Sequence, residues 1–293
     1  MKVGCHLPMF GDVGTRERLV TFSRRMEELG FSSLWASDHV VIPYEIRSKY
    51  PYSESGRFPL PPTASFLEPL TALTVAATVT ERIALGTSVL VLPHRHPVLA
   101  AKTLATLDHI AGGRVILGVG VGWMREEIAL LGAPFEKRGA WSDEAIGVMR
   151  TCWRDERSAF RGEFFDFDAL GVYPKPPRGD IPIWVGGHSA SAFRRAGRLS
   201  DGWHAAFATV EQIEPARRRL DEELRAAGRP PDSLTLSVRM GLSARQSSTD
   251  TLSQLRRYRD VGVNHVLLET SYRSLPDMLK TYDRFASDIL PKL

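Results

Sequence analysis

The run Trp35-Ala36-Ser37-Asp38-His39 sets a histidine beside a carboxylate at the end of an apolar segment. Histidine trades a proton near neutral pH, and a neighbouring carboxylate can fix its tautomer or raise its pKa. A histidine that merely hydrogen-bonds loop backbone is the plainer reading. Catalysis by His39 and Asp38 gains weight from their place, the carboxyl end of a predicted strand, where parallel barrels carry their chemistry.

Three glycine-bearing segments could take a ligand. Gly86-Thr87-Ser88-Val89 lies inside a strand that reads as buried, where glycine and small hydroxyls permit a bulge, a close ligand or simply tight barrel packing. Gly118-Val119-Gly120-Val121-Gly122-Trp123 ends the next strand with glycines two residues apart. That spacing is not the dinucleotide fingerprint, but it lets a planar ring approach flat, with Trp123 and Glu126 close by. Gly186-Gly187-His188-Ser189 runs from strand into helix, so backbone N–H groups and the Ser189 hydroxyl face outward as a phosphate site. A tight turn with a serine cap explains the same residues. His94-Arg95-His96 has the form of a metal-binding pair, yet the first strand adds only His6 and no ligand set is completed, so no metal is expected.

These groups need a scaffold, and the sequence alternates short apolar runs with amphipathic stripes. Strands are predicted at 3–7, 33–36, 83–91, 114–118, 181–185, 202–206, 234–238 and 263–268. Stripes such as Leu19, Phe22, Met26, Leu29 and Ile213, Ala216, Leu220, Leu224 keep helical spacings of three and four. Glycines at 30, 112–113, 228 and 262 fall where helices would stop. Eight strands with covering helices close most economically into a (β/α)8 TIM barrel, an α/β fold, although an open doubly wound sheet shares the pattern. Two insertions break the rhythm. Residues 40–62, rich in Pro, Tyr and Ser, follow the second strand as a candidate lid; residues 158–177, with Phe160, Phe164 and Phe167, precede the fifth and predict a packing hairpin.

A chain of 293 residues with 43% hydrophobic and 25% charged residues has the make-up of a soluble globular protein, read here as one domain over 1–293. The net charge of +4 is small, and Arg217, Arg218 and Arg219 fall in a predicted amphipathic helix, so nucleic acid is not an expected partner. Cys5 and Cys152 stand alone, which suits a reducing cytoplasm, and neither a secretion signal nor a membrane span is read.

Together these segments resemble the luciferase-like monooxygenase superfamily along essentially the whole chain. The most specific stretch runs from Glu81-Arg82-Ile83-Ala84-Leu85-Gly86-Thr87-Ser88-Val89-Leu90 through Pro97, Ala105-Thr106-Leu107-Asp108, Gly112-Gly113-Arg114 and Leu117-Gly118-Val119-Gly120. In order and spacing it is similar to the branch that uses coenzyme F420, a deazaflavin. The resemblance implies that His39 sits beside the reactive face of the cofactor as proton donor or acceptor, and that Ser88-Val89 is a non-prolyl cis peptide backing the middle ring. It further implies that Val121, Gly122, Trp123, Gly186, Gly187, His188 and Ser189 hold the ring edge, ribityl chain and phosphate. Sugar-phosphate dehydrogenases of this branch carry an acidic residue where Trp123 stands, which disfavours that activity.

The expected function is hydride transfer between F420 and a small organic substrate. The rival is an FMN-dependent monooxygenase, fed reduced flavin by a partner reductase and reacting with oxygen. A third reading, a cofactor carrier without substrate, sits poorly with the aromatic loop bearing Tyr44, Tyr50, Tyr52 and Phe58, which could line a substrate pocket or equally make a homodimer contact.

Overall fold

The apolar runs pair side by side in parallel. In the computed structural model, which describes residues 1–270 and 274–293, they are β1 (Lys2–His6), β2 (Ser33–Ala36), β3 (Ala84–Thr87), β4 (Leu90–Val91) and β5 (Val115–Gly120). After β6 (Ser158–Arg161) and β7 (Asp166–Leu170) come β8 (Ile183–Gly186), β9 (Gly202–Ala206), β10 (Thr235–Gly241) and β11 (His265–Glu269). β1 bonds to both β2 and β11, while β3 and β4 bond in turn to β5, so the sheet meets itself. With β3 and β4 counted as one interrupted strand, this is a closed (β/α)8 barrel. β6 and β7 form the antiparallel hairpin expected before the fifth barrel strand, and pack on α5 (Arg138–Arg154).

Two layers of core follow from the alternation of side chains along each strand. Outward-facing residues such as Leu34 meet the helices, where Phe22 of α1 (Arg16–Glu28) and Tyr282 and Phe285 of α9 (Leu275–Asp288) are fully buried. Inward-facing Trp35 and Trp184 fill the barrel, 5.2 Å apart. Gly86 stands opposite Trp35, where a Cβ would lie 2.5 Å from the indole, and Gly118 and Gly202 stand opposite Trp184. Of the readings open for Gly86, tight barrel packing is the one observed.

The same interior carries a string of hydrogen bonds. Ser88 Oγ meets His204 Nε2 at 2.8 Å, Ser237 Oγ bridges His204 Nδ1 and His265 Nδ1 at 2.8 Å each, and Ser33 Oγ meets His265 Nε2 at 2.9 Å. Every group is buried, and each link satisfies a polar atom that would otherwise lie bare.

The structure departs from the sequence reading in places. The strand predicted over 83–91 is cut at Ser88–Val89, whose peptide is cis, as the resemblance implied. Three helices of the described residues escaped the stripes: α2 (Pro69–Ala77), apolar on most faces, α4 (Arg125–Leu130), too short to show a period, and α6 (Ala190–Leu199), read only as the helix that the run from Gly186 to Ser189 enters. The 40–62 insertion holds no helix or strand. In α7 (Val210–Ala226), Arg218 and Arg219 pair with Glu214, Glu222 and Glu223, the behaviour of a solvated face. Among the described residues no helix is long and apolar enough to cross a membrane, and no group of three or more His, Cys, Asp or Glu is placed to hold a metal ion.

Candidate functional site

The strand ends gather the chemistry at one mouth. His39, three residues past β2, donates from Nδ1 to Glu127 Oε2 at 2.7 Å. Glu127 lies in the first turns of α4, is fully buried, and its Oε1 accepts the amides of Val40 and Val41 at 2.6 and 3.1 Å. Burial pushes its carboxyl up, but the bond and charge of His39, the nearby His94 and these amides outweigh that and hold it below the usual range. A carboxylate on Nδ1 fixes the tautomer and leaves Nε2 as the other ring nitrogen.

That carboxylate was expected to be Asp38, and the structure corrects this. Asp38 turns away from its neighbour and takes both Arg95 Nη1 and Nη2, at 2.6 and 2.9 Å, and the Val91 amide at 2.9 Å. Successive residues leaving a strand point to opposite sides, so adjacency in sequence separates the two side chains. Burial would raise Asp38, but His94 and Arg95 outweigh it and bring the group down to about 2. His94 lies between the carboxylates, Nδ1 3.6 Å from Asp38 and Nε2 3.5 Å from Glu127, and its buried Nδ1 has no hydrogen-bond partner. His94 and Arg95, weighed from sequence only as part of a metal-binding pair, therefore belong to the site.

Ser88 and Val89 form the floor beside this cluster. Gly120 and Gly186 flank Val89, where a Cβ at 120 would stand 2.7 Å from Val89 Cγ2, so no side chain at either position rises over the strand ends. Gly122 turns with φ +77 next to Val121 and Trp123. Trp123 packs into an aromatic group with Tyr50 and Phe58 of the insertion, ring centroids 5.1 and 5.6 Å away, and with His39 at 6.1 Å. The insertion thus covers the mouth. Glu126, noted beside Trp123, anchors it by accepting the Arg47 and Ser48 amides and the Ser48 hydroxyl. Tyr44, by contrast, points into solvent.

Across the mouth, Gly187 adopts φ +111 and leads into α6 (Ala190–Leu199), with Ser189 as its N-cap. The Ser189 hydroxyl accepts from Ala192, so the cap explanation holds for the side chain while the first-turn amides remain without helical acceptors. His188 and Ser189 are exposed there. On a further side, Arg239 of β10 donates to the Ser88 carbonyl at 2.8 Å and to Ser37 Oγ at 3.0 Å, and pairs with Glu269 of β11 at 2.8 Å. His6, at the end of β1, bonds Ser37 Oγ at 2.7 Å and is pushed down to about 4 by burial and by the Arg239 charge. Arg239 and Glu269 were not read from sequence, because they sit on strands whose ends carry no local motif, and His6 was weighed there only as a metal ligand.

Over residues 1–283 the sequence matches the model of the luciferase-like monooxygenases. An uncharacterized protein of Mycobacterium tuberculosis is 31% identical, over 91% of this chain and 92% of that relative. An F420-dependent glucose-6-phosphate dehydrogenase of Intrasporangium calvum is 28% identical, over 96% and 95%. Among solved structures, an F420-dependent secondary alcohol dehydrogenase in complex with an F420-acetone adduct superposes with a TM-score of 0.80 at 19% identity over 98% of each chain, a likeness of fold. With a family match along nearly its whole length, on a closed barrel whose strand ends carry these groups, the chain belongs to the luciferase-like monooxygenase family.

Proposed function

We propose that the chain is an oxidoreductase that binds coenzyme F420 across the barrel mouth and moves a hydride to or from a small organic molecule, with His39 exchanging the accompanying proton. The observation that carries this reading is the buried Glu127 carboxylate on His39 Nδ1, at the same mouth as the half-buried Val89 between Gly120 and Gly186. The relative from Intrasporangium calvum supports the choice of cofactor.

The residues present fit such a group. No side chain projects from 120, 122 or 186, where a Cβ would meet Val89, Val91 or Ile128, so the ring edge would lie against Val121 and Trp123, and the amides at Gly187, His188 and Ser189 suit a phosphate. When bound, F420 would supply the hydride chemistry. The protein aligns and shields. Glu127 leaves His39 Nε2 as the nitrogen that gives or takes the proton, and stabilises the imidazolium when it forms. Asp38, clamped by Arg95, ties the chain after β2 to Val91 and so fixes where His39 stands. Tyr50 and Phe58 keep water from the covered side.

Titrating F420 and FMN separately into the purified protein, and following binding by fluorescence, tests the cofactor. F420 should bind and FMN should not; FMN binding with oxygen uptake would favour the monooxygenase reading instead. His39→Ala should lower turnover by roughly 10²–10⁴-fold with cofactor affinity nearly unchanged. Undiminished turnover would remove His39 from the reaction.

A further inference from the structure

The insertion is fastened in two different ways. On the α4 side it is held by hydrogen bonds, the amides of Val40 and Val41 to Glu127 and those of Arg47 and Ser48 to Glu126, with Tyr50 and Phe58 packed on Trp123. Across the mouth, just past the end of β9, Tyr52 rests on Phe207, ring centroids 5.9 Å apart at 64°. Each of these two residues is 43% exposed, so their contact shields little surface and parts at small cost.

Phe207 is the fixed half of the pair. Among the described residues it is the one position other than glycine with a left-handed backbone, φ +55. A Cβ is strained there and a glycine would not be, so a bulky ring is kept against local preference. The turn is pinned on both sides: the Phe207 amide donates to Arg239 O at 2.8 Å, and Ala208 O accepts the Tyr258 hydroxyl at 2.7 Å. The Arg239 guanidinium lies 5.3 Å from the Phe207 ring centroid and steadies the ring itself. Tyr52, by contrast, belongs to a tip bonded to itself, Tyr50 N–H to Gly56 O at 2.8 Å, Gly56 N–H to Ser53 O at 3.1 Å and the Ser53 hydroxyl to Arg57 O at 3.0 Å. Such a tip turns as one body about its fastened side without losing its internal bonds.

We propose that Phe207 is the catch on which the insertion closes, and that the barrel mouth loads and unloads where Tyr52 parts from Phe207. β9 runs beside β8, whose end carries the Gly187-His188-Ser189 turn, so parting opens the mouth on the side of the proposed phosphate site. What enters rests on the oxidoreductase reading; the catch does not.

The test compares the full-length protein, without ligand, with Tyr52→Ala, Phe207→Gly and the double variant. Glycine suits the left-handed turn, so Phe207→Gly removes the ring without straining the fold. Trypsin nicking after Arg57 reads the opening. Loss of one aromatic pair should speed nicking roughly 2- to 10-fold in each single variant. The double variant should be nicked no faster than the faster single, since all three lose the same contact. Tyr52→Phe, which keeps the ring, should be nicked at the native rate. Unchanged nicking in both single variants, effects that multiply in the double, or Tyr52→Phe behaving as Tyr52→Ala overturns the catch. In stopped-flow fluorescence, F420 should bind and leave faster by the same factor in Tyr52→Ala, with Kd held, as a gate requires. A weaker Kd at an unchanged association rate would make the pair part of the binding wall and overturn the loading route. Absence of F420 binding by the unmodified protein, with the nicking pattern as expected, sinks the cofactor reading and upholds the catch.

Discussion

At the scale of single residues, the site turns on which carboxylate faces His39. Glu127→Gln keeps an oxygen for the Val40 and Val41 amides but replaces the charge on Nδ1 with an amide. A charge-assisted hydrogen bond contributes about 1.5–3 kcal/mol, so kcat should fall roughly 10- to 150-fold while KM holds. A KM effect with unchanged kcat would mean that Glu127 merely braces the loop. His39 was legible in the sequence because its type and its place at a strand end suffice to mark it. Its partner was not, since Glu127 lies 88 positions away on a helix with no readable stripe, and only folding shows that Asp38 points elsewhere. One signal was present: an acidic pair, Glu126-Glu127, opening a short helix directly after a glycine-rich strand end. The two acids divide the work, one on the catalytic candidate and one on the lid.

At the scale of elements, the insertion is held by few bonds, and Glu126 makes three of them. Glu126→Ala should lower the cost of opening this loop by about 1.5–3 kcal/mol while leaving global unfolding nearly unchanged, since the barrel does not depend on it. Trypsin nicking after Arg47 and Lys49 is the readout. A rate equal to that of the unmodified protein would assign the hold to the packing of Tyr50 and Phe58 on Trp123 alone. Strand existence was well read from periodicity, and the hairpin from its spaced phenylalanines. What periodicity cannot give is a break in an otherwise apolar run: glycine and small hydroxyls at 86–88 permit a bulge without requiring one, and the resemblance rather than the pattern placed the break between β3 and β4. Helix α2 was hidden for the opposite reason, since with Leu70, Ala72, Leu73, Ala76 and Ala77 all buried no polar face sets a phase.

At the scale of the molecule, closure of the barrel buries imidazoles that the unfolded chain would leave in water. His265 falls to about 3 and His6 to about 4, chiefly through burial, and His204 is also driven well down. Depressed native values mean that the unfolded state binds more protons, so acid favours unfolding. Stability should be full above about pH 6.5 and decline as pH drops toward 4, by about 1.4 kcal/mol per pH unit for each histidine. Urea midpoints at pH 7, 6 and 5 measure this, and a flat series would refute it. The alternation of runs and stripes made a barrel the economical choice over an open sheet, but closure itself rests on contacts such as Leu85 with Val115 that no local pattern contains.

The serine and histidine string inside that barrel also bears on how such a protein can diverge. Ser237 serves two rings at once, so its loss alone would strand a nitrogen on His204 and another on His265, each at about 1–3 kcal/mol. Any single change in this string therefore leaves a buried polar atom bare, and paired replacements are the ones that avoid it.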